Sequence, residues 1–180
     1  MADMSDRHHP PATSDWVRRW AHLVPANHGT QGLVLDVACG SGRHLHFFQG
    51  LGHRVTGVDR DAKALELAKA LAPEAELIEA DIENGAWPFA NRKFAGIVVT
   101  NYLWRPLLPV ILQSLEDGGA LIYETFAVGN EKFGKPSNPD FLLRPGELLE
   151  ACKALRTVAY EDVTLDNPSR CVQRIAAIKA

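Results

Sequence analysis

A short apolar run, VLDV, leads straight into Gly40-Ser41-Gly42 and then into a helical pattern beginning RHLHFF. No other stretch restricts the fold as much. A strand that bends on glycines into a helix commits the chain to a strand–helix unit whose next strand lies parallel to the first. The glycines permit the bend, and the helix start behind it offers unpaired N–H groups to an anion. Asp36 sits near the end of the apolar run, where a carboxylate is costly unless something cationic answers it. A ligand carrying both a carboxylate and an ammonium would satisfy the bend and Asp36 together.

The rest of the chain extends this unit. Residues 15–24 set Trp16, Val17, Trp20, Leu23 and Val24 at helical spacing, and Pro25 stops them. Strands are expected over 33–37, 54–58, 76–80, 94–100 and 120–126. Between them fall helices over 43–49 and 62–71, the second capped by Asp61, a loop over 83–93 around Gly85 and Pro88, and a helix over 106–115 ended by Gly118-Gly119. A helix over 145–155 precedes two strands, 156–165 and 171–178, joined by a turn at 166–169. The alternation predicts an α/β fold with a Rossmann-like, doubly wound, mostly parallel sheet of about seven strands. The tight final joint predicts an antiparallel C-terminal strand pair. Ligands of such sheets lie at the carboxyl ends of the strands, where the strand order reverses.

At 180 residues and 46% hydrophobic content the chain fits one domain over 13–180 behind a polar arm over 1–12. A net charge of -3 argues against nucleic acid as a partner, since such binders carry a basic face. No apolar run approaches the roughly 18 residues of a membrane span, and the first residues hold no apolar signal core. Cys39, Cys152 and Cys171 are odd in number and form no C-x-x-C pair, which suggests reduced thiols and a cytoplasmic setting. No metal site is expected: His44 and His46 are two apart on a helix and face different ways, and His8 and His9 fall in the arm.

Two further carboxylates follow strand ends. Asp59 closes VTGVD at about the distance from the glycine bend at which nucleotide folds hold a ribose. Asp81 closes the third strand, where it could take an adenine amino group. VLDVACGSG, VTGVDRD, AELIEADIENGAWPF and FAGIVVTNYL with LEDGGALIYETF resemble the successive motifs of class I S-adenosylmethionine-dependent methyltransferases, most nearly the small bacterial tellurite-resistance and ubiquinone-biosynthesis type. The resemblance covers residues 34–126. It implies S-adenosyl-L-methionine as methyl donor, with Asp36, Ala38, Cys39, Gly40 and Gly42 around its methionine end and Thr100 and Asn101 beside them. Asp59 and Arg60 would meet the ribose, and Asp81 and Ile82 the adenine. Ala38 departs from the family's usual glycine. A nicotinamide-dinucleotide fold is the rival, but its fingerprint wants a third glycine where Leu45 stands.

Methyl transfer is an in-line displacement that needs orientation and dryness more than acid–base help. The acceptor pocket is expected at the ends of the fourth and fifth strands, with Tyr102 and Glu124 as candidate catalytic groups. Tyr102 and Trp104 could equally pack under the next helix, and Glu124 could pair with an arginine. Residues 127–143 form a long aperiodic segment suited to a lid, whose Asn130, Phe133, Asn138 and Phe141 would face the acceptor. Arg105 and Arg144 each precede a proline that suits a first helical turn, the unfavourable end for a cation. An anion is therefore expected between them, either Glu124, Asp140 or an anionic substrate. Trp16 and Trp20 would fold across the donor pocket or simply pack in the core. The reading is methyl transfer to a small soluble acceptor, with RNA, protein or a non-catalytic donor-binding regulator as alternatives. Nothing in the sequence sets an oligomeric state.

Overall fold

The computed structural model describes residues 12–26 and 32–180. His8, His9 and almost all of the expected arm lie outside the described residues. The chain runs α1 (Asp15–Trp20), β1 (Leu33–Val37), α2 (Arg43–Gly50), β2 (Arg54–Asp59), α3 (Ala62–Leu71), β3 (Glu76–Glu79), β4 (Phe94–Thr100), α4 (Leu108–Gln113), β5 (Leu115–Phe126), α5 (Glu147–Ala151), β6 (Arg156–Leu165) and β7 (Arg170–Ile178). Seven strands order as β3-β2-β1-β4-β5-β7-β6. The first five are parallel, and β7 pairs antiparallel with both β5 and β6. The order reverses between β1 and β4, so the crevice beyond their carboxyl ends is where a ligand belongs.

Strand periodicity divides the core into two layers. Leu35, Val37, Ile97, Val99, Leu121 and Tyr123 face α4 and α5. Val34, Val98, Ala120 and Ile122 face α1, α2 and α3 through Trp16, Leu45, Phe48 and Ala68. Asp36 shares the parity of Val34 and so points into the second layer. Trp16 is fully buried there, its indole N–H donating to the Ile175 carbonyl at 3.2 Å and its ring under the Arg174 guanidinium at 4.8 Å. Of the two roles open to Trp16 in the sequence, packing is the one it takes.

The glycines at 118 and 119 were expected to end a helix; instead they lie inside β5. The helix stops earlier, where the Ser114 hydroxyl turns back to the Val110 carbonyl at 2.9 Å. Leu115 already pairs with Phe94, and the register then shifts before Gly96 meets Ala120. The helix expected over 145–155 is shorter at its start, because Gly146 at φ 72° stands as its N-cap. Among the described residues no helix is long and apolar enough to cross a membrane.

Candidate functional site

The bend after β1 is held from β2. The Cys39 N–H donates to Val58 O at 3.0 Å, and the Gly40 N–H to the Asp59 carboxylate at 2.8 Å. Asp59 also accepts from the Asp61 N–H at 3.0 Å, while Asp61 caps α3 through Lys63 N at 2.9 Å. Gly42 has φ 82°, and a Cβ there would fall 2.8 Å from that of Ala68, so glycine lets α2 and α3 meet. Gly40 has φ 52° and a Cβ on it would touch nothing within 4 Å, so its outer side is open space. Ala38, at φ 54°, is strained in the left-handed region that glycine would occupy freely. Burial, with Asp36 and Asp59 nearby, pushes the Cys39 thiol far up, so it packs as a small neutral residue.

Asp36 lies just behind this bend, 2% exposed, and its Oδ2 has no hydrogen-bond partner among the described residues. The nearest cationic candidate is the His44 ring, whose Nδ1 is 3.7 Å away and which is equally buried. The Ser14 N–H donates to His44 Nε2 at 3.3 Å. That bond leaves the imidazole proton on Nδ1, facing Asp36. Arg43 reaches Ala12 O at 3.2 Å and Thr100 Oγ1 at 3.5 Å.

Beyond the strand ends lies a cavity of about 350 Å³, lined among others by Ala38, Asp59, Arg60, Asp81, Ile82, Asn101, Tyr102, Phe126 and Phe141. Six of the residues expected at the donor site or beside it, Ala38, Asp59, Arg60, Asp81, Ile82 and Asn101, thus line this one cavity. Asp81 closes its own turn, accepting from Glu83 N at 3.0 Å and Asn84 N at 3.2 Å. The Asn84 amide leads the causes that hold its carboxyl below the ordinary range. The Tyr102 hydroxyl is buried without a partner among the described residues. Burial first, and then Glu83, pushes the phenol well up, so it stays protonated and can serve as a donor. Ala38, Cys39, Gly40, Arg43, His44, Thr100 and Asn101 line an adjoining groove.

A second cavity, of about 560 Å³, adjoins the first and shares Asn101 and Phe126 with it. Its walls come from three distant segments: Ser14 before α1, Asn130, Phe133 and Lys135 after β5, and Arg170 at the β6–β7 turn. Asn130 is buried and pins the 127–143 segment, donating to Pro136 O at 3.0 Å and accepting from Cys171 N at 3.3 Å. Both ends of that segment are stitched together, Val128 N to Leu143 O and Leu143 N to Phe126 O, each at 2.9 Å. Asn138 caps a short turn within it, accepting from Asp140 N at 3.0 Å. Glu124 borders this cavity but is engaged by Arg174 at 3.2 Å and by the Ser14 hydroxyl at 2.9 Å.

Three expected acceptor residues stand elsewhere. Trp104 packs against the first core layer. Arg105 donates to both Glu147 oxygens, at 2.6 and 2.9 Å. Arg144 meets Glu147 at 3.3 Å. The anion between the two arginines is therefore Glu147, and neither Glu124 nor the Asp140 carboxylate. Asp140 offers Arg105 only its carbonyl, at 2.7 Å. Glu147, the first residue of α5, accepts the Arg144 N–H at 2.8 Å across the turn that leads into the helix. The Arg105 guanidinium leads the causes that pull its carboxyl down to about 2. The three-residue spacing of Arg144 and Glu147 was the legible sign of this pair. His44, Ser14 and Arg43 were not expected at the site, whereas Phe126 stands at the end of the fifth strand, where the acceptor pocket was expected. For His44, its place in the first helical turn behind Asp36 was the available sign.

Comparison with known proteins agrees with this architecture. Residues 34–119 match the model of the methyltransferase domain. A malonyl-[acyl-carrier protein] O-methyltransferase of Pectobacterium atrosepticum is 32% identical over 114 residues, which cover 60% of this chain and 43% of that protein. The chain thus spans less than half the length of this relative. TehB of Haemophilus influenzae superposes with a TM-score of 0.73 at 20% identity, over 92% of this chain and 62% of that one. A TehB-like SAM-dependent methyltransferase of Corynebacterium glutamicum gives 0.63 at 22%, over 89% and 86%. The stretch from residue 34 to 119, which contains the glycine bend and Asp36, Asp59, Asp81 and Asn101, is a methyltransferase domain on the fold of S-adenosylmethionine-dependent methyltransferases.

Proposed function

We propose that the protein transfers a methyl group from S-adenosyl-L-methionine to a small anionic acceptor. The observation that carries the donor assignment is the unpartnered, buried Asp36 oxygen beside the open side of Gly40. A buried carboxylate without a partner is costly, and an ammonium group answers it. The donor, when bound, supplies an electrophilic methyl on a sulfonium.

The chain's residues then divide the remaining work. Asp36, with the backbone at Ala38, Cys39, Gly40 and Gly42, would hold the amino-acid end, and Thr100 and Asn101 would flank it. Asp59 accepts two backbone N–H bonds, from Gly40 and Asp61, and keeps lone pairs for ribose hydroxyls, with Arg60 beside it. Asp81 and Ile82 would meet the adenine. Phe126, shared by the two cavities, and Tyr102 and Phe141 in the first would exclude water from the reacting methyl. Tyr102 acts as a hydrogen-bond donor and not as a base, because its phenol is held protonated. Glu124, with both oxygens engaged, orients Ser14 and Arg174 rather than accepting a proton.

The acceptor enters through the second cavity beside Asn130 and Phe133. Arg43, Lys135 and Arg170 line it and have no carboxylate partner among the described residues. Its two carboxylates, Asp15 and Glu124, are each paired with an arginine, Arg18 and Arg174. Three cations without a carboxylate partner among the described residues favour a carboxylate or phosphate on the acceptor. The malonyl group in the relative's name is likewise a carboxylate. This support replaces that of Arg105 and Arg144, which Glu147 neutralises. Incubation with methyl-labelled donor and a metabolite extract, followed by mass spectrometry, tests the reading. Label on acidic small molecules is the expected result. Label on RNA or protein alone, with binding that falls steeply as salt is added, would overturn the acceptor. Donor uptake with no label anywhere would make the protein a regulator.

A further inference from the structure

We propose that His44 is a positioning residue that couples the Asp36 carboxylate to the docking of the chain segment before α1; this rests on the donor reading above. His44 is 2% exposed and sits in the first turn of α2. Its Nε2 takes the Ser14 N–H at 3.3 Å, and its protonated Nδ1 faces Asp36 Oδ2 at 3.7 Å. The imidazole thus stands between a surface segment and the buried oxygen that has no hydrogen-bond partner among the described residues. Around it the same segment is latched to the same turn. Thr13 donates to Arg43 O at 3.5 Å, and Arg43 reaches Ala12 O at 3.2 Å. The Ser14 hydroxyl, donating to Glu124 at 2.9 Å, reaches the second cavity as well.

The consequence is reciprocal. A docked Ser14 holds the His44 ring in the tautomer and orientation that aim Nδ1–H at Asp36, which orders the carboxylate for a cationic group. A cation bound against Asp36 in turn favours the arrangement in which Ser14 is docked. His44 need not touch the donor or the transferred methyl to do this. Its two ring nitrogens have separable tasks, and side-chain amides can replace them one at a time. Asparagine carries its nitrogen about where Nδ1 lies and does not reach Ser14. Glutamine carries its oxygen about where Nε2 lies and forfeits the Nδ1 donor.

The experiment measures donor affinity by calorimetry and amide exchange at Ser14 and Trp16, on full-length wild type, H44N, H44Q and H44F. H44N should keep donor affinity within about three-fold of wild type while Ser14 exchange accelerates roughly ten-fold. H44Q should keep Ser14 protected and lose about ten-fold in donor affinity. H44F should lose both. Equal losses in H44N and H44Q would reduce His44 to packing and overturn the proposal, as would donor affinity unchanged in all three. If the variants fail to fold, the wild type still decides: added donor should slow exchange at Ser14, and exchange indifferent to donor overturns the coupling. Wild-type protein that takes up no donor removes the donor reading itself, and this inference with it.

Discussion

On the donor side, polar groups meet across short turns at the ends of neighbouring parallel strands. Asp59 reaches Gly40 and Asp61, and Asp81 closes its own turn. On the acceptor side, the walls bring Ser14 together with Lys135 and Arg170, each more than a hundred residues further along the chain. Their charge is set by which cations find partners: Arg105 and Arg144 are spent on Glu147, while Arg43, Lys135 and Arg170 are not. The donor side is a consequence of topology, and the acceptor side a consequence of pairing. Substitutions on the first should therefore act on donor affinity, and those on the second on acceptor use or on stability.

The largest effect is expected at Asp36. Asp36→Asn should weaken donor binding by roughly a hundred-fold, since a buried ion pair is lost, while stability changes by less than about 1 kcal/mol because no internal ion pair is broken. A large loss of stability with intact donor affinity would make Asp36 structural and erase the contrast. Glu147→Gln comes next and belongs to the other side. It should cost about 1–3 kcal/mol in denaturant unfolding at neutral pH and leave donor affinity alone. The Glu147 carboxyl is held at about 2 against an ordinary 4.5. The advantage of wild type over E147Q is thus present above pH 4.5 and lost as the pH falls toward 2. An advantage that persists unchanged at pH 2 would deny the charge its role.

Lys135→Ala and Arg170→Ala should each raise the KM for an acidic acceptor by roughly three-fold, less at high salt, with donor affinity unmoved. An acceptor indifferent to both would leave the second cavity without its anion. The smallest change is Ala38→Gly. It relieves a residue at φ 54° and should raise stability by up to about 1 kcal/mol in thermal unfolding, with donor affinity held or improved. A destabilised variant would contradict the strain at that turn.

The same contrast governs what the sequence could reveal. Strand and helix periods, the cap at Asp61 and the acids at 36, 59 and 81 are local patterns. They lead directly to the β1–β5 sheet and to one cavity wall. Gly118-Gly119 misled because a glycine pair reads as a helix stop, although here it resets strand register between β4 and β5. Trp104, Arg105 and Arg144 misled for a different reason. Arg105 finds Glu147 forty-two residues away and Trp104 packs into the core, whereas Arg144 meets Glu147 only three residues on, a pairing its spacing could have shown. Glu147 and His44 were each legible in part, one as an acid three residues after Arg144 and the other as a first-turn polar residue. Their roles follow only from side chains brought together by the sheet.

The most direct measurement is titration calorimetry of the full-length protein with S-adenosylmethionine and with its demethylated product, run beside D36N. Saturable heat from both ligands on wild type, much weakened on D36N, is the result this account requires. Folded wild-type protein that gives no heat with either ligand, yet takes up NADH, would contradict it.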